Sequence, residues 1–114
     1  MLIDAFLKKL SAAPQSIEFT DTMALIDENY CFTETAFNNG LQINAAGMNS
    51  GSCKLFSFAQ LQNLNESQTL ACFGRYYRED VLKNPDADDH QNIRQFMVNG
   101  WPGIKFSGQA LTKK

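Results

Sequence analysis

Cys31-Phe32-Thr33-Glu34-Thr35-Ala36-Phe37-Asn38-Asn39-Gly40-Leu41-Gln42-Ile43-Asn44 is the stretch on which the fold turns. From Cys31 to Phe37 the pattern alternates, with Phe32 and Phe37 separated by polar Thr and Glu. Asn39-Gly40 follows, the strongest short-range hairpin signal, and Leu41-Gln42-Ile43 resumes the alternation. The spacing predicts a β-hairpin over about 31–44 inside a chain whose flanks read as helix.

On the N-terminal side, Leu2, Ile3, Phe6, Leu7 and Leu10 recur at three- and four-residue spacing. They predict an amphipathic helix over 2–12, ended by Pro14. Ile17-Glu18-Phe19 reads as extended, and Thr20 or Asp21 as the cap of a second helix reaching about Asn29, with Met23, Ile26 and Tyr30 inward. On the C-terminal side, Leu55, Phe56, Phe58, Ala59 and Leu61 mark a third helix. Asn65-Glu66-Ser67-Gln68 is a capping box with Leu64 as its hydrophobic staple, opening a long helix over about 66–83 with Leu70, Phe73, Tyr77 and Val81 inward. Gly74 falls in mid-helix at up to about 1 kcal/mol relative to Ala, which close packing by another element would explain. Pro85 and Asp86, Asp88 and Asp89 separate it from a further helix, with Asp88 and Gln91 as a cap pair and Ile93, Phe96 and Met97 as its stripe. Gly100 ends that helix as a Schellman-type cap before Trp101-Pro102, and Ile104-Lys105-Phe106 reads as a short strand able to join the hairpin. The fold class is therefore α+β, mainly helical, in one domain over 1–114.

The 114 residues suffice for one core, since a chain of this size buries roughly two-thirds of its unfolded surface. Nine Phe, three Tyr and one Trp within a 44% hydrophobic composition supply that core and exclude disorder. Net charge is −2 with scattered Lys and Arg, so no basic stripe offers itself to nucleic acid. No apolar run approaches the roughly 20 residues of a membrane span. Asp4, Lys8 and Lys9 interrupt the first apolar pattern, against a secretory signal. Three cysteines without metal-type spacing fit a reducing, cytoplasmic compartment.

No Asp, Glu, Lys or Arg occurs from Thr35 to Cys53, although 19% of the chain is charged. Within that window the loop after Asn44 runs from a strand end to a helix start. Gly47, Gly51 and Ser52 could turn backbone N–H groups toward one point, where the helix dipole favours an anion. It is not a P-loop, because Gly51 precedes Ser52-Cys53 and the Gly-Lys-Ser/Thr is missing. The competing reading is a tight connection whose Asn side chains satisfy backbone groups. Cys53, near a helix start, is a candidate nucleophile with His90 as base and an Asp of the 86–89 run beside it; burial as a core thiol is the alternative. His90 falls in the first turn of its helix and reads equally as a neutral, hydrogen-bonded imidazole. One His and no Cys pair weigh against zinc, and Met97 at the twelfth position with no EF-hand glycine weighs against calcium, so no metal or cofactor is expected. Tyr76, Tyr77, Arg78 and Arg94 combine aromatic faces with forked donors suited to carboxylate or phosphate, with surface ion pairing as the alternative. The candidate ligand set is thus Asn44, Gly47, Asn49, Ser50, Gly51, Ser52, Tyr76, His90 and Arg94.

Three segments carry a resemblance: Phe32-Thr33-Glu34-Thr35-Ala36-Phe37-Asn38-Asn39-Gly40, Asn44-Ala45-Ala46-Gly47-Met48-Asn49-Ser50-Gly51-Ser52-Cys53-Lys54-Leu55-Phe56, and Thr69-Leu70-Ala71-Cys72-Phe73-Gly74-Arg75-Tyr76-Tyr77-Arg78. With Asp89-His90-Gln91-Asn92-Ile93-Arg94 and Gly100-Trp101-Pro102-Gly103-Ile104, they make the chain resemble the HopJ type III effector family over nearly its whole length. The resemblance implies a bacterial protein and, by the family's name, passage through a type III system; it implies no reaction and no catalytic residues. The helix beginning at Leu2 leaves little room for a flexible N-terminal secretion signal, so a cytoplasmic protein is the expectation.

Two function classes follow. The first is a binding module using 44–53 with Arg94, His90 and Tyr76 to hold a small polar or anionic ligand or a partner segment. The second is a Cys53/His90 hydrolase or transferase, which requires thiol and imidazole within hydrogen-bond reach in a cleft.

Overall fold

The computed structural model describes residues 2–114. Helix α1 spans Ile3–Ala12 and buries Phe6 and Leu10, as its spacing requires. A single 3₁₀ turn at Pro14–Ser16 leads to α2, Phe19–Asn29, which starts earlier than Thr20 or Asp21 would place it. Glu18 occupies the N-cap and its N–H donates to the Asp21 carboxylate at 3.0 Å, so Asp21 serves as the third helical residue rather than the cap. The Glu18 carboxylate also meets Arg75 Nε at 2.6 Å and Arg78 Nη2 at 2.7 Å.

The predicted hairpin over 31–44 divides. Strand β1, Tyr30–Phe32, leaves it and pairs antiparallel with β5, Leu111–Lys113, in the register Tyr30↔Lys113 and Phe32↔Leu111. Thr33 N–H to the Ala110 carbonyl, at 2.8 Å, carries that pairing one residue past β1. The hairpin itself is β2, Phe37–Asn39, with β3, Gln42–Asn44. Its two-residue turn is Gly40-Leu41, one position later than Asn39-Gly40, with Gly40 at φ +58° in the first central place, where a type II′ turn wants glycine. Asn39 is kept in the strand because its fully buried carboxamide bonds elsewhere in the core. Strand β4, Ile104–Phe106, joins the other edge of β2, giving the order β3-β2-β4.

Helix α3 covers Ser50–Leu61 and α4 covers Glu66–Ala71. The Asn65/Gln68 capping box forms in both directions, at 2.7 and 3.0 Å. The long helix expected over 66–83 does not: α4 stops at Ala71, Gly74 turns to φ +63°, and Tyr76–Val81 continues as a π-helix. A Cβ on Gly74 would lie 2.7 Å from the Phe19 backbone nitrogen and 2.8 Å from the Glu18 Cα. The start of α2 therefore crosses where the helix would have run, and only glycine admits both the approach and the positive φ. Beyond the break, Arg78 reaches the Ile17 carbonyl at 2.7 Å and locks the crossing.

Helix α5 spans Gln91–Asn99. It buries Ile93 and Phe96, but the third core position is Asn92, while Met97 is exposed. Gln91 donates to the Asp88 backbone carbonyl, so the Asp88–Gln91 cap pair does not form. Gly100 ends the helix at φ +60°, though not in a Schellman motif: the Trp101 N–H bonds the Glu66 carboxylate instead of a carbonyl of α5. The Trp101 indole donates to the Leu64 carbonyl at 3.0 Å. At the centre of the core Phe56 meets Phe37, Phe73 and Trp101 edge-on, with Phe96 tilted at 5.0 Å. This aromatic centre fixes α3 against α5, the sheet and the segment after α4. Among the described residues no helix is long and apolar enough to cross a membrane.

Candidate functional site

Helix α3 begins where it does because Asn49 turns into the left-handed region at φ +52° and its carbonyl accepts the Cys53 N–H at 3.0 Å. The N–H groups of Ser50, Gly51 and Ser52 precede that first bond and have no intrahelical acceptor. Helix α5 repeats the device: His90 sits at φ +51° and its carbonyl accepts Ile93 and Arg94, leaving the Gln91 and Asn92 N–H groups ahead of the helix. Asn49, Gly51 and Ser52 of the first start and His90, Gln91 and Asn92 of the second line one cavity of about 530 Å³. Each start carries about half a positive charge from its helix dipole, and here two of them share one space.

A network of carboxamides holds the two starts together. Asn44, at the end of β3, and Asn92, in the first turn of α5, form a reciprocal amide pair: Asn44 donates at 3.1 Å and Asn92 donates back at 3.0 Å. Both are buried. Asn49 donates to the Asn44 side-chain oxygen at 2.7 Å, tying the α3 cap to the same pair. Asn39 donates to the Asn92 carbonyl at 2.7 Å and to its side-chain oxygen at 3.1 Å. The Asn39 Oδ1 is buried without a partner among the described residues. Such a network is rigid when satisfied and costly when broken.

The other wall is aromatic. Phe19, Phe73 and Tyr76 line it, with the aliphatic Ile93 also in the lining, and Gly51 is hydrogen-sized here because a Cβ would lie 2.8 Å from the tip of the Phe19 ring. The π-helix presents both Tyr76 and Asp80 to His90: the Tyr76 ring stacks on the imidazole at 5.1 Å, and His90 Nε2 lies 3.1 Å from the Asp80 carboxylate. Arg94 does not face the cavity. It folds back on the preceding loop, with Nε and Nη2 each 2.6 Å from Asp89 oxygens and Nη1 3.2 Å from the Pro85 carbonyl. The Arg94 hydrogen bond holds the Asp89 carboxyl below its usual range.

Of the candidate ligand residues, the structure brings Asn49, Gly51, Ser52, Tyr76 and His90 to the cavity. Asn44 stands behind the wall as the anchor of the network, and Gly47 faces Glu34 in the exposed loop. Ser50 and Arg94 are outside the lining. Cys53 corrects the catalytic expectation. It is 1% exposed, its thiol donates to the Thr35 carbonyl at 3.4 Å, and burial pushes its pKa up, so no thiolate is available beside His90. His90 is the helix cap rather than part of the first turn, and its Nε2 lies 3.1 Å from the Asp80 carboxylate and 3.9 Å from that of Asp89, the member of the 86–89 run expected beside it. Sequence reasoning missed Phe19, Phe73 and Gln42, which arrive from distant elements with no local signal. Asn92 carried one: a polar residue where the α5 stripe wants an apolar one. Among the described residues no group of three His, Cys, Asp or Glu converges as a metal cage.

A family model described as HopJ type III effector protein matches residues 3–111, and the chain belongs to that family. Among solved structures, the crystal structure of the unknown-function protein VPA0580 is similar over 100% of this chain and 95% of its own, at 55% sequence identity and a TM-score of 0.99. No curated protein matches.

Proposed function

We propose that this HopJ-family chain binds a small polar or anionic molecule in the cavity between the starts of α3 and α5. The observation that carries the reading is the convergence of two helix N-termini on one space large enough for a small molecule. The lining holds no Lys or Arg, so recognition falls to backbone N–H groups, the Ser52 hydroxyl and His90. Asp88 at the rim opposes an anion, but its carboxylate is exposed and solvent screens it. Uncommon conformations cluster around the same space, namely left-handed Asn49 and His90 and the π-helix, and such features concentrate at ligand sites. The buried, protonated Cys53 disfavours the alternative of a Cys/His hydrolase or transferase.

The test is thermal unfolding with phosphate, sulfate and small carboxylates, since a ligand of the folded state raises the apparent stability. Ser52→Asp places a carboxylate at the α3 start, where the helix tolerates it and an anion would not. A concentration-dependent rise in wild type that vanishes in Ser52→Asp is expected; no rise with any anion refutes the reading. The same reading keeps the protein in the cytoplasm, which suits three free cysteines. Export that depends on a type III apparatus would overturn that part.

A further inference from the structure

The cavity is far larger than an inorganic anion needs, and its remaining surface has a definite chemistry. Phe73, Phe19, Tyr76 and His90 form a continuous ladder of rings along one side. Phe19 and Phe73 stack at 6.1 Å and 11°, Phe19 and Tyr76 meet at 5.3 Å, and Tyr76 and His90 stack at 5.1 Å and 29°. All four line the cavity, and Tyr76 keeps 43% of its surface exposed. Tyr76 is held between Phe19 and His90, so its exposed part and the neighbouring rings together form a rigid aromatic wall against which a further flat ring can pack.

The same lining holds carboxamides with hydrogen-bonding capacity to spare. Asn49 spends its amide donor on Asn44, and Gln91 spends its own on the Asp88 carbonyl at 2.8 Å. Their side-chain oxygens carry no hydrogen bond among the described residues, so the lining offers acceptors from two side chains as well as donors from two helix starts. A molecule that satisfies the whole lining needs a flat face for the ladder, N–H donors for the two carboxamide oxygens and a negative group for the helix starts.

We infer that the ligand is a nucleoside monophosphate or a molecule of the same make-up, an amino-bearing nitrogen heterocycle joined to a phosphate, with its ring against Tyr76 and Phe19. The inference rests on the anion reading of the cavity and adds the ring subsite to it. Isothermal titration of the full chain with the adenosine, guanosine, cytidine and uridine 5′-monophosphates, with adenosine and with inorganic phosphate separates the two. At least one nucleotide is expected to bind ten times or more tighter than phosphate and than adenosine. Tyr76→Leu, which keeps an apolar side chain at a half-exposed position, is expected to abolish that advantage over phosphate, with an unchanged circular dichroism spectrum showing that it has folded. Phosphate binding that no nucleotide exceeds, or a nucleotide advantage that survives Tyr76→Leu, overturns the ring subsite and leaves the anion site standing. Adenosine binding as tightly as its monophosphate overturns the anion site and with it the nucleotide assignment, and no binding by any probe overturns both.

Discussion

Replacing Asn44 by alanine removes one member of the reciprocal amide pair while leaving the β3 backbone in place. Two bonds to Asn92 are lost, at 3.0 and 3.1 Å, together with the donor to the Phe37 carbonyl at 3.3 Å and the acceptor of the Asn49 amide at 2.7 Å. The Asn92 oxygen keeps Asn39 as a donor, but the Asn92 amide nitrogen, on a residue only 6% exposed, loses its acceptor. A buried unsatisfied donor costs about 1–3 kcal/mol, and the remaining bonds, one to an exposed Asn49 and one at 3.3 Å to Phe37, add about 1 kcal/mol between them. The expected destabilisation is therefore about 2–4 kcal/mol, read as a shift in urea midpoint at constant slope. At roughly 4 °C per kcal/mol, the melting temperature falls by about 8–16 °C. Asn38→Ala is the control: it lies on the same hairpin but is exposed, and a surface change of this kind stays within about 0.5 kcal/mol. A loss below about 1 kcal/mol for Asn44→Ala, or an equal loss for Asn38→Ala, refutes the claim that the carboxamide network holds β3 to α5.

Two further predictions follow from the charges and thiols. Burial acts to raise the Glu18 pKa, but hydrogen bonds and charge from Arg78 and Arg75 outweigh it and hold the carboxyl below its ordinary value. A carboxyl lowered on folding contributes stability that is present above its unfolded pKa and lost as pH falls through the folded one. Glu18→Gln should thus lower the melting temperature at neutral pH, with the gap to wild type closing below about pH 4; a gap independent of pH refutes the pairing. Thiol titration of the native protein with a disulfide reagent should find Cys31 reactive at once, and Cys53 and Cys72 only on unfolding. Cys31 is exposed and both others are buried, with the Cys72 thiol pushed up to about 12 by desolvation. Fast native reaction at Cys53 would restore it as a candidate nucleophile.

The parts of the fold legible in the sequence are those set by neighbours along the chain. The α1 stripe, the Asn65/Gln68 box and the strand at Ile104–Phe106 all stand where spacing and capping chemistry put them. The misplaced parts depend on distant residues. Tyr30–Phe32 alternates as a hairpin arm would, and only its pairing with Leu111–Lys113 shows that it belongs to another sheet. Helix propensity registers the cost of Gly74 but not the backbone of Glu18 and Phe19 pressed against it. The site divides in the same way. Gly51, Ser52 and His90 were visible as helix-start residues, whereas Phe19 and Phe73 reach the cavity by packing alone.

By itself the sequence determined an α+β chain with a central hairpin, membership in a family, and a charge-free turn-rich segment before α3. Periodicity, caps and turn residues act over a few positions, and so can be read without knowing what lies across the core. Tertiary structure decided what that segment does. Asn44 and Asn49 became struts of a carboxamide network, Cys53 became core, and the starts of α3 and α5 came to face one cavity. That convergence is fixed by Phe56 and the amide pair holding two helices at one distance, a relation between remote residues that no local pattern encodes.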